Sequence, residues 1–201
     1  SLYFDHYNYI NWNIKMVKDK IVVLGASGFI GMHLCKKLVK ENIKILALIR
    51  NKNSKEAKEL LKMDVQILET GDLFKKKLFS KDLSTIKYLI NLAALAHINN
   101  KNFKKKLYHL KDINNIENNI IKNFSNKNLK ILHISSAKVS DKIKNNQTDY
   151  AIVKKKGESI IRKYYKKHII LRPPLVYGPN VKANFLFLMK AIHNNLPLPF
   201  R

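Results

Sequence analysis

A tyrosine and a lysine stand four residues apart in Tyr150-Ala-Ile-Val-Lys154, at the start of a stretch with helical periodicity. That spacing puts both side chains on one helix face. A phenol titrates near ~10 and is a poor base at neutral pH. A neighbouring ammonium stabilises the phenolate, so the spacing predicts that Lys154 lowers the Tyr150 phenol and prepares it as a general base. Ser135-Ser136 lies ahead of this pair and closes the apolar run Ile131 to Ile134. Ser136 is then placed to bond the substrate hydroxyl that Tyr150 deprotonates, although the same serine pair also reads as a simple strand-ending turn.

A second constellation is Gly25-Ala26-Ser27-Gly28-Phe29-Ile30-Gly31, which holds three of the chain's six glycines. It follows the short apolar run Ile21 to Leu24 and precedes an amphipathic stretch, the strand–turn–helix setting in which a glycine loop can hold a pyrophosphate. Glycine allows the tight turn, the close backbone approach to the anion and the close packing of helix on strand, while the helix N-terminus offers unpaired N–H groups and positive dipole. The spacing is G-x-x-G-x-x-G, not the G-x-G-x-x-G of the ordinary dinucleotide fingerprint. At the end of the next strand a carboxylate would bind the adenosine ribose, whereas an Arg accommodates the extra phosphate of NADP. Here Arg50 stands there with Lys52 close behind, so NADP is favoured slightly over NAD; the alternative is that Arg50 is one more solvated cation. Asp72 is a candidate acceptor for the adenine amino group, or else a turn cap.

The elements that must position these residues follow from periodicity. Strands are predicted at Ile21 to Leu24, Ile43 to Ile49, Val65 to Leu68, Tyr88 to Leu92, Ile131 to Ile134 and His168 to Leu171. Helices are predicted at Phe29 to Lys40, Ser54 to Lys62, Leu107 to Asn123, Tyr150 to Tyr165 and Val181 to Asn194. Strands alternating with helices imply a parallel, doubly wound α/β sheet of Rossmann-like type. Pro173-Pro174 ends the last strand, because proline cannot donate to a sheet ladder. Residues 1 to 15 carry neither period and read as a disordered or non-native leader, with Met16 a natural start.

Composition bounds the rest. With 201 residues, 46% hydrophobic and 26% charged, the chain is an ordinary globular one, not disordered or fibrous. It has no apolar run long enough for a membrane span. A single Cys35 excludes an internal disulfide framework and a cysteine zinc site, and its place beside Leu34 suggests a small buried filler. His97, His109, His133 and His168 show no metal-ligand spacing and read as structural or surface residues. A cytoplasmic, reducing compartment is the default. The net charge of +25 points to polyanions, but only four of the 39 cations are Arg, the side chain that specific nucleic-acid readout favours. Lys, Asn and Ile excesses together fit A/T-rich codons, so no specific nucleic-acid partner is expected.

Gly25 to Gly31, Asn91-Leu92-Ala93-Ala94, Ser135-Ser136-Ala137, Tyr150 with Lys154, and Arg172-Pro-Pro-Leu-Val-Tyr-Gly-Pro179 occur in an order that resembles the extended short-chain dehydrogenase/reductase family, of NAD-dependent epimerase/dehydratase type. The stretches from Val176 to Phe185 and from Leu196 to Phe200 are similar to enzymes acting on UDP-linked hexoses, such as UDP-hexose 4-epimerases and UDP-sugar reductases. The resemblance implies catalytic roles for Ser136, Tyr150 and Lys154. It implies an NAD(P) site at Gly25, Ser27, Gly28, Phe29, Ile30, Gly31, Arg50, Asp72, Leu73, Ala93, Ala94, Tyr150, Lys154 and Pro173, and substrate contacts at Ser136 and Asn184. A UDP-sugar substrate, homodimers through paired helices, and a role in surface polysaccharide synthesis are implied in the same way. Residues 16–178 would form the NAD(P)-binding domain and 179–201 only the beginning of a small C-terminal substrate domain, as if the chain were truncated. The chain departs from the family in a short, polar stretch between Ser136 and Tyr150 and in Leu175, where many relatives carry Asn. A noncatalytic dinucleotide-binding module, the remnant of such an enzyme, is the alternative reading.

Overall fold

The computed structural model describes residues 19–72, 83–93, 115–139, 149–174, 176–179, 190 and 192–195. Six strands form one sheet: β1 (Ile21–Leu24), β2 (Ile45–Ile49), β3 (Gln66–Glu69), β4 (Tyr88–Asn91), β5 (Lys130–Ile134) and β6 (Lys167–Leu171). Among the described residues four helices accompany them: α1 (Phe29–Lys40), α2 (Lys55–Lys62), α3 (Asn115–Asn123) and α4 (Asp149–Tyr164). The strand order is β3-β2-β1-β4-β5-β6, every neighbouring pair is parallel, and this is the order of the Rossmann arrangement. The order reverses between β1 and β4, and ligands of open α/β sheets bind in the crevice at that point.

Both faces of β1 and β2 are covered, which is why these strands are continuously apolar. On one face Val22, Leu24, Leu46, Leu48, Leu89 and Ile131 pack with Ile116, Ile120 and Phe124 around α3 and with Ile161 and Tyr165 around α4. On the other, Ile21, Val23, Ile45, Ala47 and Ile49 pack with Cys35 and Leu38 of α1 and Ala57 and Leu60 of α2. The expected packing role of Cys35 holds: it is fully buried, and burial pushes its thiol up to about 11. Tyr165 is fully buried as well, and its hydroxyl donates to the Phe124 carbonyl at 2.8 Å. At β6 the cover thins, with Ile169 and Leu171 exposed.

Local chemistry sets the element ends. Ser54 caps α2 by accepting from the Ala57 N–H at 3.1 Å. The expected second strand from Ile43 begins at Ile45 instead. After α1 the chain turns through Asn42 at φ 57°, and Ile43 returns its N–H to the Leu38 carbonyl at 3.0 Å, leaving it to plug the core and not to extend the ladder. The third strand is displaced by one residue, to Gln66–Glu69. The last predicted helix and the first half of the Leu107 to Asn123 helix lie mostly outside the described residues. Among the described residues, no helix is long and apolar enough to cross a membrane.

The two halves of the sheet should differ in their tolerance of truncation. Leu24→Ala, in the doubly covered strand β1, should cost about 3 kcal/mol in urea unfolding. Leu171→Ala, 45% exposed on β6, should cost under about 1 kcal/mol. Equal losses would mean that β6 is as well packed as β1.

Candidate active site

The turn between β1 and α1 is held by close backbone contacts. Gly25 has φ +81°, and a β-carbon there would stand 2.9 Å from the Ala93 nitrogen. A β-carbon on Gly31 would collide with the carbonyl oxygens of Gly25 and Ala26. The first turn of α1 therefore sits directly on the loop, and the loop on the segment after β4. Gly28 is the N-cap of α1, its first turn carries no acid, and no side chain caps it among the described residues. By helix geometry its leading N–H groups are left to face an anion.

These residues open onto one cleft of about 1360 Å³ over the carboxyl ends of the strands. Gly25, Ser27, Gly28, Phe29, Ile30 and Gly31 line it, together with Arg50, Ala93, Ser136, Tyr150, Lys154 and Pro173. Twelve of the predicted site residues thus meet in a single space. Arg50, exposed just past β2, lines the cleft together with Ser54, the cap of α2, and with Lys55, Glu56, Lys58, Glu59 and Lys62 of α2, three cations and two carboxylates. Asp72 is exposed and is not among the cleft-lining residues. Leu73, Ala94, Leu175 and Asn184 lie outside the described residues, as do His97 and His109.

Tyr150, half-buried at the start of α4, is hydrogen-bonded to Ser136 at the end of β5. Burial raises the phenol above its ordinary value, and the Ser136 hydroxyl is the side chain that opposes the rise. This corrects the expectation that Lys154 would lower it. The Lys154 ammonium donates instead to the Ile134 carbonyl at 2.9 Å and is coupled to two carboxylates, Glu117 and Glu158. Burial lowers Lys154, and both carboxylates resist that change.

Beneath the cleft lies a buried polar cluster that spacing alone did not reveal. Glu158, one turn after Lys154 on α4, is 3% exposed and receives both Arg172 Nε at 2.8 Å and Arg172 Nη2 at 2.7 Å. Burial works to raise its carboxyl, but Arg172, Ser135 and Arg162 outweigh that and hold it below the ordinary carboxylate range. This fork ties the end of β6, and with it Pro173, to the helix that carries Tyr150 and Lys154. His133 on β5 is fully buried, with Nδ1 2.8 Å from the Asn91 amide nitrogen. Asn91 Oδ1 accepts the Ala93 N–H at 3.1 Å, so its nitrogen donates to His133, and the ring proton is left on Nε2. A signal for Glu158 was present in the sequence, since it follows Lys154 by four residues on the same face. Nothing comparable marked Glu117 or His133.

Burial, with the nearby Lys154 charge adding to it, lowers His133 from 6.5 to about 4. Its folded value is depressed, so the neutral ring stabilises the protein fully above pH 6.5. That contribution is lost as pH falls through 6.5 towards about 4. The stability advantage of the wild type over His133→Gln should therefore shrink by roughly 3 kcal/mol between pH 7 and pH 4 in urea titrations. A constant difference across that range would show that the ring is not held neutral.

A model of the NAD dependent epimerase/dehydratase family matches residues 21–198. UDP-glucose 4-epimerase of Vibrio cholerae is 28% identical over 205 residues, covering 92% of this chain and 60% of the relative. Among solved structures, a UDP-galactose 4-epimerase superposes with TM-score 0.64 at 19% identity, over 88% of this chain and 63% of that one. Gre2 of Candida albicans, solved in complex with NADPH, gives TM-score 0.63 at 23% identity, over 82% of this chain and 61% of its own. The chain thus spans about three-fifths of the length of these relatives. With the Rossmann strand order and the glycine turn in place, the match over most of its length shows that this chain belongs to the NAD dependent epimerase/dehydratase family.

Proposed function

We propose that the chain is the dinucleotide-binding and proton-transferring part of a nucleotide-sugar epimerase or reductase that acts on a UDP-hexose. The observation that carries this reading is the meeting of the glycine turn with Ser136, Tyr150 and Lys154 in one cleft. The absence of β-carbons at Gly25 and Gly31 lets the loop close on Ala93 and on the first turn of α1, which sets the uncapped N-terminus of α1 where a pyrophosphate would be held. When bound, a nicotinamide dinucleotide supplies the acceptor and donor of hydride. Residues 16–178 hold it, and 179–201 begin the surface that receives the sugar nucleotide, with Asn184 as a contact.

Each side chain then has a separate task. Ser136 bonds the sugar oxygen and orients it against Tyr150. Tyr150 exchanges a proton with that oxygen, accepting it as a carbinol is oxidised and returning it as a carbonyl is reduced. The raised phenol keeps its proton at neutral pH, which suits the returning step. Lys154 presents its charge from the same face of α4 one turn on, held by the Ile134 carbonyl. Arg50 and the neighbouring lysines of α2 favour the additional phosphate of NADP. The similarity to UDP-glucose 4-epimerase supports the sugar-nucleotide class.

Thermal melting with NADP+, NADPH, NAD+ and NADH should show a cofactor-dependent rise, because a ligand that binds only the native state stabilises it. No shift with any of the four would overturn the reading. Tyr150→Phe should keep the shift and lose roughly 100-fold or more in turnover of UDP-glucose or UDP-galactose. A variant as active as the wild type would remove Tyr150 from the chemistry. Arg50→Ala should weaken NADP binding about tenfold and leave NAD nearly unchanged. Equal losses for both would make Arg50 a general cation.

A further inference from the structure

Glu117 sits in the first turn of α3 and is only 8% exposed. A carboxylate at that end of a helix is favoured by the helix dipole, yet burial raises its carboxyl and works against the charge. Two observations place it against the catalytic face of α4. A β-carbon on Gly157 would stand 2.8 Å from Glu117 Oε1, and Gly157 follows Lys154 by three residues, on the same helix face. His133 Nε2, the nitrogen that carries the ring proton, lies 4.0 Å from the same oxygen, beyond hydrogen-bond reach, and has no hydrogen-bond partner among the described residues.

We propose that Glu117 is a positioning residue for Lys154, a buried counter-charge that keeps the ammonium protonated one helical turn from Tyr150. The proposal rests on the proton-transfer reading of Tyr150 and Lys154 given above. The groups facing Lys154 come from four elements. Tyr150 and Glu158 lie one turn before and one turn after it on α4, and Glu117 lies on α3. His133 and the Ile134 carbonyl belong to β5, and Arg172 at the end of β6 reaches it through Glu158. The two carboxylates are not equivalent. Glu158 is already engaged by the Arg172 fork and by Arg162 at 4.0 Å. Among the described residues, the ionisable partners of Glu117 are neutral His133 and Lys154 itself.

His133, which neighbours Glu117, is itself tied through Asn91 to the Ala93 N–H, in the segment that presses on Gly25.

The test is a titration of the Lys154 ε-carbon by 13C NMR in lysine-labelled protein, with the resonance identified by its loss in Lys154→Met. Glu117→Gln should move the midpoint down by one pH unit or more, a tenfold or greater loss of proton affinity. Gly157→Ala leaves every charge in place and adds a methyl group that displaces the flexible end of Glu117. It should move the midpoint in the same direction by less. An unchanged midpoint in folded Glu117→Gln overturns the proposal; should that variant not fold, an unchanged midpoint in Gly157→Ala does so. NADPH binding by the wild type, read by fluorescence, keeps the two readings apart. A chain that binds no dinucleotide refutes the proposed function whatever Lys154 does, whereas a binding-competent chain with an unmoved Lys154 refutes only the role of Glu117.

Discussion

The cleft exists because backbone lies on backbone at the end of β1. Where the chain turns at Gly25, the segment after β4 comes within van der Waals contact, and the first turn of α1 settles onto the carbonyls of Gly25 and Ala26 through Gly31. The leading amides of α1 point where they do only because these contacts fix the tilt of the helix. The reversal of strand order between β1 and β4 opens the crevice at this same place. A side chain added at either glycine would lift the helix or push the β4 segment aside.

The other wall obeys an electrostatic constraint. Lys154 is 7% exposed, and a buried ammonium without compensation would lose its proton. Residues from α3, α4 and β6 converge on it and on its partners, so elements far apart in sequence are tied together by charge. The Glu158–Arg172 fork does double service: it satisfies a carboxylate in the interior and fixes where the chain leaves the sheet towards Pro173. Such a cluster contributes little net stability, because desolvation offsets most of the attraction. Its effect is to fix geometry.

Much of this was legible in the sequence, for local reasons. The apolar runs of β1 and β2 and the stripe of α1 depend on neighbours within a few residues, and α1 runs from Phe29 to Lys40 as its periodicity predicts. Tyr150, Lys154 and Ser136 were recognisable because their chemistry needs particular residue types at particular intervals. Glu117 and His133 were not recognisable. Glu117 sits in a run crowded with Asn that reads as a solvated surface, yet Ile116, Glu117, Asn119 and Ile120 are all buried. What buries them is the face of α4 and the inner side of β5, and no local pattern announces a partner that far along the chain. The direction of the Tyr150 shift failed for a related reason. Spacing gives the proximity of an amine but not where its hydrogen bonds go.

The uneven cover of the sheet has a dynamic consequence. Amides of β1 and β2, sealed on both faces, should open only with the whole domain, whereas β6 exposes Ile169 and Leu171 and has few apolar contacts to hold it during local opening. If β6 peels away first, it carries Arg172 and Pro173 with it and releases Glu158, while the glycine turn is still closed. Partial opening would thus dismantle the Pro173 side of the cleft before the glycine turn, so the grip on a ligand held at the turn would outlast the wall that faces it.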